Sequence, residues 1–449
     1  MKKKLMPLLG VVTSLFCSCY QRTDLSFALY SAGNNREELE NTLRHYMFDD
    51  PNPEKFAAAQ FLIENMPGHY SYSSPVIYGY YAYADRILAD TTLTPEQQRD
   101  SLLLKSDNRY AAMPFLKKMD VEIIKADYLI DNIDKSYAQW TTCPWASHLN
   151  FGDYLEWMLP YKATEYQELD AWRDTMLAHF GKSLEHPVKN DVEYNTTLGV
   201  AEMIRNETYH ELNRYGLYTE AGLPLLTAHL QVSQTFGDIP DYALTAVLAF
   251  RAAGVPAVLD ETPVGSRYTA ATKWYVILSD RGEELTSEWD LATMIGGGFF
   301  PDERGPKVFR NTYAINQDRL KYLRYSKSCH PFKLGQKDVT SKYFLTSNLE
   351  IPIDIVPRTM LKERYVLIAS AVRDDRDPWR IVDFGTMKHG KACFHDMGRE
   401  VLYRVMGYDG KRLIYMTDPF ILHKDGSLEY VSADTIYSVH LDKWKNNAL

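Results

Sequence analysis

Cysteine and histidine are the residues with which this chain could build a nucleophilic or metal-binding site. It contains five cysteines and twelve histidines in 449 residues. No CxxC, HxH or HExxH spacing occurs, so we predict no metal site and no cofactor. Cys329 and His330 are adjacent, but neighbouring side chains on a strand point to opposite faces and form a poor catalytic pair. Nothing in the sequence marks an electropositive setting for Cys143 or Cys393, and Cys143 suits a buried structural thiol.

Clustered tryptophans are a second group that could bind a ligand. Stacked aromatic rings with polar tips can form a platform for a sugar or a peptide, but packing between helices is the more common reason for such a cluster. The residues concerned are Trp140, Trp145, Trp157 and Trp172, with His148, Tyr161 and Lys162 nearby in the sequence.

Helices are predicted to position the residues of the first part of the chain, up to about residue 186. Asn52 followed by Pro53 is typical of a helix start, and the apolar residues from Phe56 to Ile63 supply a buried face. Pro67 and Gly68 end that helix. We therefore expect a helical domain over residues 37–190.

The pattern changes to mixed helix and strand near residue 190. Residues 241–253 form an apolar helix that stops at Gly254, and residues 255–259, 273–279 and 285–289 are predicted strands. A helix followed by antiparallel strands is an α+β module, which we place at residues 191–325.

Only strands are predicted in the last part of the chain, which we assign to a β-sandwich domain over residues 326–449. His389-Gly390, Asp409-Gly410 and Asp425-Gly426 suit tight hairpin turns. The turns separate strands of regular spacing, as in a small sandwich. The predicted strands are 365–371, 379–384, 392–394, 401–406, 412–416 and 427–431.

Two motifs in the middle of the chain carry a resemblance to a known family. Gly237-Asp238-Ile239-Pro240-Asp241 opens the predicted helix, which ends in Arg251-Ala252-Ala253-Gly254-Val255-Pro256. Downstream, Thr272-Lys273-Trp274-Tyr275-Val276 begins a strand. These motifs resemble the transglutaminase-like superfamily, in which Gly-Asp-Cys opens the helix and a histidine lies two residues before the tryptophan. The resemblance implies a papain-like α+β core.

Further segments are similar to Bacteroidetes lipoproteins of this type, so that the resemblance covers nearly the whole chain. The Lys307–Tyr313 segment is similar to the end of their core module. The other segments lie in their N-terminal and C-terminal regions, and they are Phe61–Tyr70, Leu159–Lys162, Phe394–Gly398 and Pro419–Leu422.

The family's chemistry needs a cysteine thiolate, a histidine base and an orienting carboxylate. A helix N-terminus and a nearby histidine favour the thiolate, and the histidine transfers the proton. Here Ile239 occupies the cysteine position, Thr272 the histidine position, and Glu288 the acid position with Asp290 as a rival. Because isoleucine has no nucleophile and threonine is no base near neutral pH, we predict no catalytic residues.

The resemblance also suggests where a ligand would bind. The old substrate groove is expected to contain Asp238, Trp274 and Asp290. It could bind a peptide or a glycan without converting it to a product.

The first residues are predicted to direct export and lipid attachment. Basic residues 2–4 precede an apolar run that is too short to span a membrane, and Ser18 precedes Cys19 as in a lipoprotein box. We expect a signal peptide over residues 1–18, an acylated Cys19 and a linker over residues 19–36. The protein would then be membrane-anchored, facing the periplasm or lying at the cell surface.

The sequence therefore predicts an exported, lipid-anchored pseudoenzyme that binds a peptide or glycan, or acts as a scaffold, in the cell envelope. The alternative is an active cysteine-type protease, acyl transferase or hydrolase with relocated catalytic residues. The net charge of −9 argues against nucleic acid as a partner.

Overall fold

The computed structural model describes residues 25–73, 75–107, 116–185, 196–212, 227–237, 239–265, 271–286, 304–326, 332–353, 364–372 and 378–431. The α-helices in these residues are α1 (Leu25–Ser31), α2 (Arg36–Arg44), α3 (Pro53–Asn65), α4 (Pro75–Ala89), α5 (Pro95–Asp107), α6 (Ala126–Thr142), α7 (Phe151–Trp157), α8 (Trp172–Phe180), α9 (Thr197–Leu212), α10 (Ala228–Ser233), α11 (Ile239–Ala252), α12 (Gln317–Tyr325) and α13 (Thr340–Tyr343).

The strands within these described ranges form three antiparallel sheets. A two-stranded sheet pairs β1 (Tyr70–Ser73) with β2 (Leu116–Met119). A five-stranded sheet has the order β5-β4-β3-β6-β7, and an eight-stranded sheet has the order β15-β14-β12-β9-β10-β11-β8 with β13 beside β12. Their strands are β3 (Ala257–Thr262), β4 (Thr272–Leu278), β5 (Glu284–Thr286), β6 (Phe309–Asn311), β7 (Gln336–Asp338), β8 (Thr346–Pro352), β9 (Tyr365–Ala371), β10 (Trp379–Lys388), β11 (Lys391–Gly398), β12 (Val401–Tyr408), β13 (Leu413–Tyr415), β14 (Phe420–Leu422) and β15 (Leu428–Tyr430).

Helix α3 begins as its sequence predicts. The Oδ1 atom of Asn52 accepts hydrogen bonds from the backbone N–H groups of Glu54 and Lys55, each at 3.0 Å, and Pro53 occupies the first helical position. Leu62 and Ile63 are fully buried on the face that packs into the core. The cap and the apolar face together define where this helix starts and which side it buries.

The five-stranded sheet is covered by helices on both faces. Alternation along β4 places Tyr275 and Ile277 in a hydrophobic cluster with α8, α9 and α11, whereas Trp274 and Val276 belong to a cluster with the N-terminal helices. Both clusters contain residues from each side of position 190. The helical part and the α+β part are therefore packed around one shared sheet.

The structure corrects the expectation of a linker over residues 19–36. Residues 25–31 form α1, whose Ala28 is fully buried, and α2 begins at Arg36. Ala28 packs in the same hydrophobic cluster as Leu62. The apolar residues of this segment are sufficient to anchor it to the core; residues 1–24, including Cys19, lie outside the described residues.

The structure combines helices and sheets, as predicted for an α+β chain. Its C-terminal region, however, is one curled antiparallel sheet and not a sandwich. Strand β9 pairs with both β10 and β12, and β11 pairs with both β10 and β8, so the strands are continuous across one sheet. Val366 and Ile368 face the inner cluster, while Leu367 and Ala369 pack on the outer face with Tyr322 of α12. Among the described residues, none of the helices has both the length and the apolar composition needed to cross a membrane.

Candidate functional site

A cleft of about 320 Å³ lies where the five-stranded sheet meets the C-terminal sheet. Its wall includes Pro240 in the first turn of α11, the adjoining ends of β3 and β4, one residue of α12 and three consecutive residues of β10. The volume is at the low end of the roughly 300–1,000 Å³ that is typical of small-ligand sites. The cleft therefore has room for a short segment of a ligand.

The structure places the two altered motif positions next to this cleft. Helix α11 begins at Ile239, and Pro240 lines the cleft together with Thr272, which begins β4 opposite Thr262 of β3. The side chain of Ile239 lies outside the described residues, as do Asp238, Glu288 and Asp290. The helix start and the strand start that the motifs describe are thus brought to the same site.

Trp274 does not line the cleft, contrary to the expectation from its motif. It is 2% exposed and belongs to the cluster with the N-terminal helices. Its Nε1–H donates a 3.0 Å hydrogen bond to the hydroxyl of Tyr343, which donates a 2.7 Å hydrogen bond to Asp260. Asp260 in turn accepts two hydrogen bonds from Arg310, at 2.8 and 2.9 Å. Trp274 is therefore part of the buried support of the sheet.

One carboxylate lies in the wall of the cleft. Glu261 accepts hydrogen bonds from Lys333 Nζ at 2.5 and 2.7 Å and from the amide of Gln336, and its Oε2 lies 3.6 Å from Lys273 Nζ. Burial alone would raise the pKa of Glu261, but the charges of Lys333 and Lys273 outweigh burial and lower it. Glu261 is therefore ionised near neutral pH.

The cations outnumber this carboxylate. Lys273, Arg319, Lys333 and Arg380 all line the cleft, so its described wall carries four positive charges and one negative charge. Arg380 is exposed at the rim, whereas Arg319 is 4% exposed. Burial lowers the pKa of Arg319, yet an arginine remains protonated near neutral pH. The cleft is a cationic site in a chain with a net charge of −9.

The described wall contains no thiol and no imidazole, and Thr272 provides the hydroxyl at the histidine position. Cys143 lies elsewhere, between α6 and α7, where its Sγ–H donates to Gln139 Oε1 at 2.9 Å. Burial raises the pKa of Cys143 to about 11, which is the opposite of what a nucleophilic cysteine needs. Cys393 lies on β11 with Glu350 and Thr386 as its cross-strand neighbours, and Cys329 lies outside the described residues.

A buried polar network joins several of the other motif segments. His69 Nδ1 lies 2.7 Å from Glu165 Oε1, and its Nε2 lies 2.8 Å from the carbonyl oxygen of Tyr313. Since both partners are acceptors, both ring nitrogens donate and the imidazole is protonated. Such a ring has no free lone pair and cannot act as a general base. The ring is 2% exposed and, with Glu165, lines a cavity of only about 20 Å³.

Lys162 and Tyr313 extend this network to the rest of the core. Lys162 forms an ion pair with fully buried Asp120, and the backbone carbonyl of Lys162 accepts a 3.1 Å hydrogen bond from Arg251. The hydroxyl of Tyr313 donates to the carbonyl of Leu62 at 2.9 Å. The motif segments around residues 61–70, 159–162, 251 and 307–313 therefore meet in one structural network.

The tryptophans form core contacts and not a ligand platform. Trp140 stacks on Tyr154 with ring centroids 4.6 Å apart, and Trp172 is 1% exposed with its Nε1–H bonded to the carbonyl of Tyr161 at 2.7 Å. Trp145 donates to the carbonyl of Ala253 at 2.9 Å, and the guanidinium of Arg310 covers Trp157. Packing, the more common reason for such a cluster, explains these side chains.

The cationic residues of the cleft were not identified from the sequence. Lys273, Arg319, Lys333 and Arg380 come from four separate segments, and no spacing links them. The one available signal was the register of the hairpin formed by β3 and β4, which places Glu261 opposite Lys273. Within the described residues, no group of three or more histidine, cysteine, aspartate or glutamate side chains is arranged to hold a metal ion.

No family model matches the chain, and no curated protein or solved structure matches it either. The chemistry of the cleft therefore follows from its own side chains, and the transglutaminase-like resemblance is an expectation based on the sequence motifs.

Proposed function

We propose that this chain is an exported, lipid-anchored protein with a transglutaminase-like core that has lost catalysis and binds a peptide in the cationic cleft. The observation that carries the proposal is that Pro240, which follows the cysteine position, and Thr272, at the histidine position, line one cleft. The isoleucine at the cysteine position supplies no nucleophile, and the threonine at the histidine position supplies no base near neutral pH. A groove that is still present at these positions, but lacks the reacting side chains, is suited to binding without catalysis.

A peptide fits the walls better than a glycan does. Sugar recognition relies on an aromatic face that is free for stacking, and the aromatic residues of this cleft are Phe309 and Phe332. The guanidinium of Arg319 lies over both rings, 4.4 Å from the centroid of Phe309 and 5.5 Å from that of Phe332. Neither ring offers an unoccupied platform, whereas the mixture of apolar and charged walls suits a side chain next to a polar backbone.

Binding of short peptides tests this function. The full chain, purified in detergent, would be immobilised and exposed to a synthetic pool of short random-sequence peptides. Thr272→Trp fills the cleft and should reduce peptide retention about tenfold. Thr141→Trp, at an exposed position on α6, is the matched control and should retain the same peptides as the native chain.

Two outcomes would contradict the proposal. Equal retention by the native chain and by Thr272→Trp would place binding elsewhere, and an absence of retained peptides would remove peptide binding altogether. Covalent labelling of the native chain by a thiol-directed acyl probe would favour the enzymatic alternative with relocated residues.

The membrane anchor belongs to the same proposal. Cys19 precedes α1 by only six positions, and α1 exposes Phe27 and Tyr30, which are 49% and 81% accessible. Exposed aromatic side chains this close to a lipidated residue suit the interface of a membrane.

Replacement of the acylated residue tests the anchor. Cys19→Ala should move the protein from the membrane fraction to the soluble fraction and abolish metabolic labelling with a fatty acid, because the acyl chains on Cys19 are the proposed main attachment. Cys17→Ala is the matched control and should leave both properties unchanged. Continued lipid labelling of Cys19→Ala would show that Cys19 is not the site.

A further inference from the structure

The charge of the cleft specifies its ligand more closely, and the inference drawn from it rests on the proposed peptide-binding function. We infer that the cleft binds its peptide through a carboxylate of that peptide, received by Lys273 and Arg319 with Arg380 at the rim. Glu261 acts as a resident carboxylate that competes with the ligand for the same cations.

Arg319 is held in a fixed orientation at the cleft. Its Nη1 donates to the carbonyl of Lys333 at 3.2 Å and to Gln336 Oε1 at 2.9 Å, and the rings of Phe309 and Phe332 lie beside the guanidinium. No carboxylate of the described residues lies within ion-pair distance of it. A planar guanidinium that is already ordered loses little freedom when it binds a carboxylate, and its fork matches the two oxygens.

Glu261 shows that this wall accommodates a carboxylate. Its oxygens are shared among Lys333, Gln336 and, at the longer distance of 3.6 Å, Lys273. Burial and the nearby charge of Lys273 lower the pKa of Lys333, although Glu261 acts in the opposite direction. One carboxylate therefore leaves the positive charges of this wall incompletely balanced, and a second carboxylate from a ligand would lower their mutual repulsion.

Two carboxylates outside the lining of the cleft do not neutralise the positive charge of its wall. Asp338 and Asp383 lie outside the lining and act on Arg319 through their charges. Both form ion pairs with Lys307, whose side chain is fully buried. These three groups contribute one net negative charge, against the three net positive charges of the described wall. The wall and these three groups together therefore keep a positive excess.

The apolar part of the wall explains why the ligand is a peptide and not a small anion. Ile381 and Val382 of β10 and Pro263 after β3 line the cleft beside the cations. A ligand that carries an apolar side chain close to its carboxylate would bury that side chain against these residues, which adds affinity that an inorganic anion cannot obtain. A peptide end and an acidic side chain both provide this combination.

The experiment compares peptide pools of equal length on the full chain. One pool has a free C-terminal carboxylate and no acidic residue, a second has a C-terminal amide and one glutamate, and a third has a C-terminal amide and no acidic residue. At least one carboxylate pool should bind about tenfold more tightly than the neutral pool, and the difference should shrink as salt is added. The first two pools distinguish a chain end from a side chain as the source of the carboxylate.

Two substitutions should shift this preference in opposite directions. Arg380→Gln removes an exposed rim cation and should weaken binding of the preferred carboxylate pool roughly threefold to tenfold, while Glu261→Gln removes the competing carboxylate and should strengthen it. Lys388→Gln makes the same charge change as Arg380→Gln at an exposed position of β10 outside the cleft, and it should have no effect.

The outcomes separate this inference from the function on which it rests. Equal binding of all three pools, blocked by Thr272→Trp, would leave peptide binding intact and overturn the carboxylate requirement. Equal losses for Arg380→Gln and Lys388→Gln would also overturn it, because net charge alone would then explain the effect. Binding of no pool would overturn the proposed function itself.

Discussion

At the scale of single residues, the proposed loss of catalysis depends on the side chains at the start of α11 and at the start of β4. Ile239 is the first residue of the helix, where the N–H groups of the first turn favour a negative charge. Thr272 is the first residue of the strand and lines the cleft with Pro240. The helix start and the strand start that the motifs predict are present, and the residues there are an isoleucine and a threonine.

Restoring both side chains should restore thiol reactivity. Ile239→Cys combined with Thr272→His places a thiol at the helix N-terminus and a base on the neighbouring strand, which together lower the pKa of the thiol. The double variant should be alkylated by iodoacetamide at neutral pH about tenfold faster at position 239 than Ile239→Cys alone. Peptide mass spectrometry would follow the modification at that position.

A histidine at a position outside the cleft serves as the control. It shows whether the faster reaction requires a histidine close to the cysteine or only a histidine somewhere in the sheet. Ile239→Cys combined with Thr286→His carries the same two residue types, but Thr286 lies on β5, one strand further from β3, and does not line the cleft. This control should react at the rate of the single cysteine variant. Equal rates for the two double variants would mean that positions 239 and 272 do not face each other.

At the scale of elements, the sequence predicted individual strands well because their limits are set locally. The predicted strand 365–371 coincides with β9, and the hairpin turns at residues 389–390, 409–410 and 425–426 occur where Gly follows His or Asp. Gly390, Gly410 and Gly426 have φ values of 76°, 97° and 88°, which residues with a side chain rarely adopt. Turn chemistry therefore determines where these strands end.

Pairing between strands could not be read from the same local signals. The periodicity of β9 shows which residues share a face, but it does not show that β9 lies between β10 and β12. The sequence pattern does not predict strand β8, which pairs with β11 across a long stretch of chain. These long-range pairings make one curled sheet, whereas the spacing of the strands alone had suggested a sandwich.

The cleft was only partly predictable for the same reason. The motifs identified the start of α11 and Thr272 of β4, because both depend on residues that are close in sequence. Arg319 on α12 and Arg380 on β10 reach the cleft through tertiary packing, and no local sequence pattern predicts their position there. The motif predicts that Trp274 lies in the groove, but its place on β4 directs it to the opposite cluster.

At the scale of the whole molecule, buried hydrogen bonds of charged side chains connect the N-terminal helices to the segment that follows β6. His69 follows α3 and bonds both to Glu165 and to the carbonyl of Tyr313, which follows β6. Glu156 of α7 accepts hydrogen bonds from the N–H groups of Tyr313 and Ala314, at 2.9 and 3.1 Å. Removing one partner from such a buried pair is costly, because the remaining charge loses its compensation.

These connections make stability dependent on pH in a defined direction. Burial alone would lower the pKa of His69, but Glu165 outweighs it and raises that pKa above 6.5. The stability from protonated His69 is therefore fully present below about pH 6.5 and is lost as the pH rises through the pKa of the folded state.

Burial alone would raise the pKa of Glu165, but His69 outweighs it and lowers that pKa below 4.5. Its contribution is present above about pH 4.5 and is lost as the pH falls through the pKa of the folded state.

Replacement of His69 should remove both the stability and its pH dependence. His69→Phe keeps a ring stacked on Tyr313, whose centroid lies 4.3 Å away, but it leaves Glu165 buried without its counter-charge. Urea unfolding near pH 6 should show that the free energy of unfolding falls by about 3–5 kcal/mol. This loss should become smaller towards alkaline pH, where the native His69 is deprotonated.

The matched control is His423→Phe, which removes the exposed pair with Glu429, separated by 2.8 Å, and should cost about 0–1 kcal/mol. Adding Glu165→Gln to His69→Phe should recover part of the loss, because the carboxylate that lost its histidine partner is then replaced by a neutral amide. A His69→Phe variant as stable as His423→Phe would show that this pair does not hold the helices to the sheet.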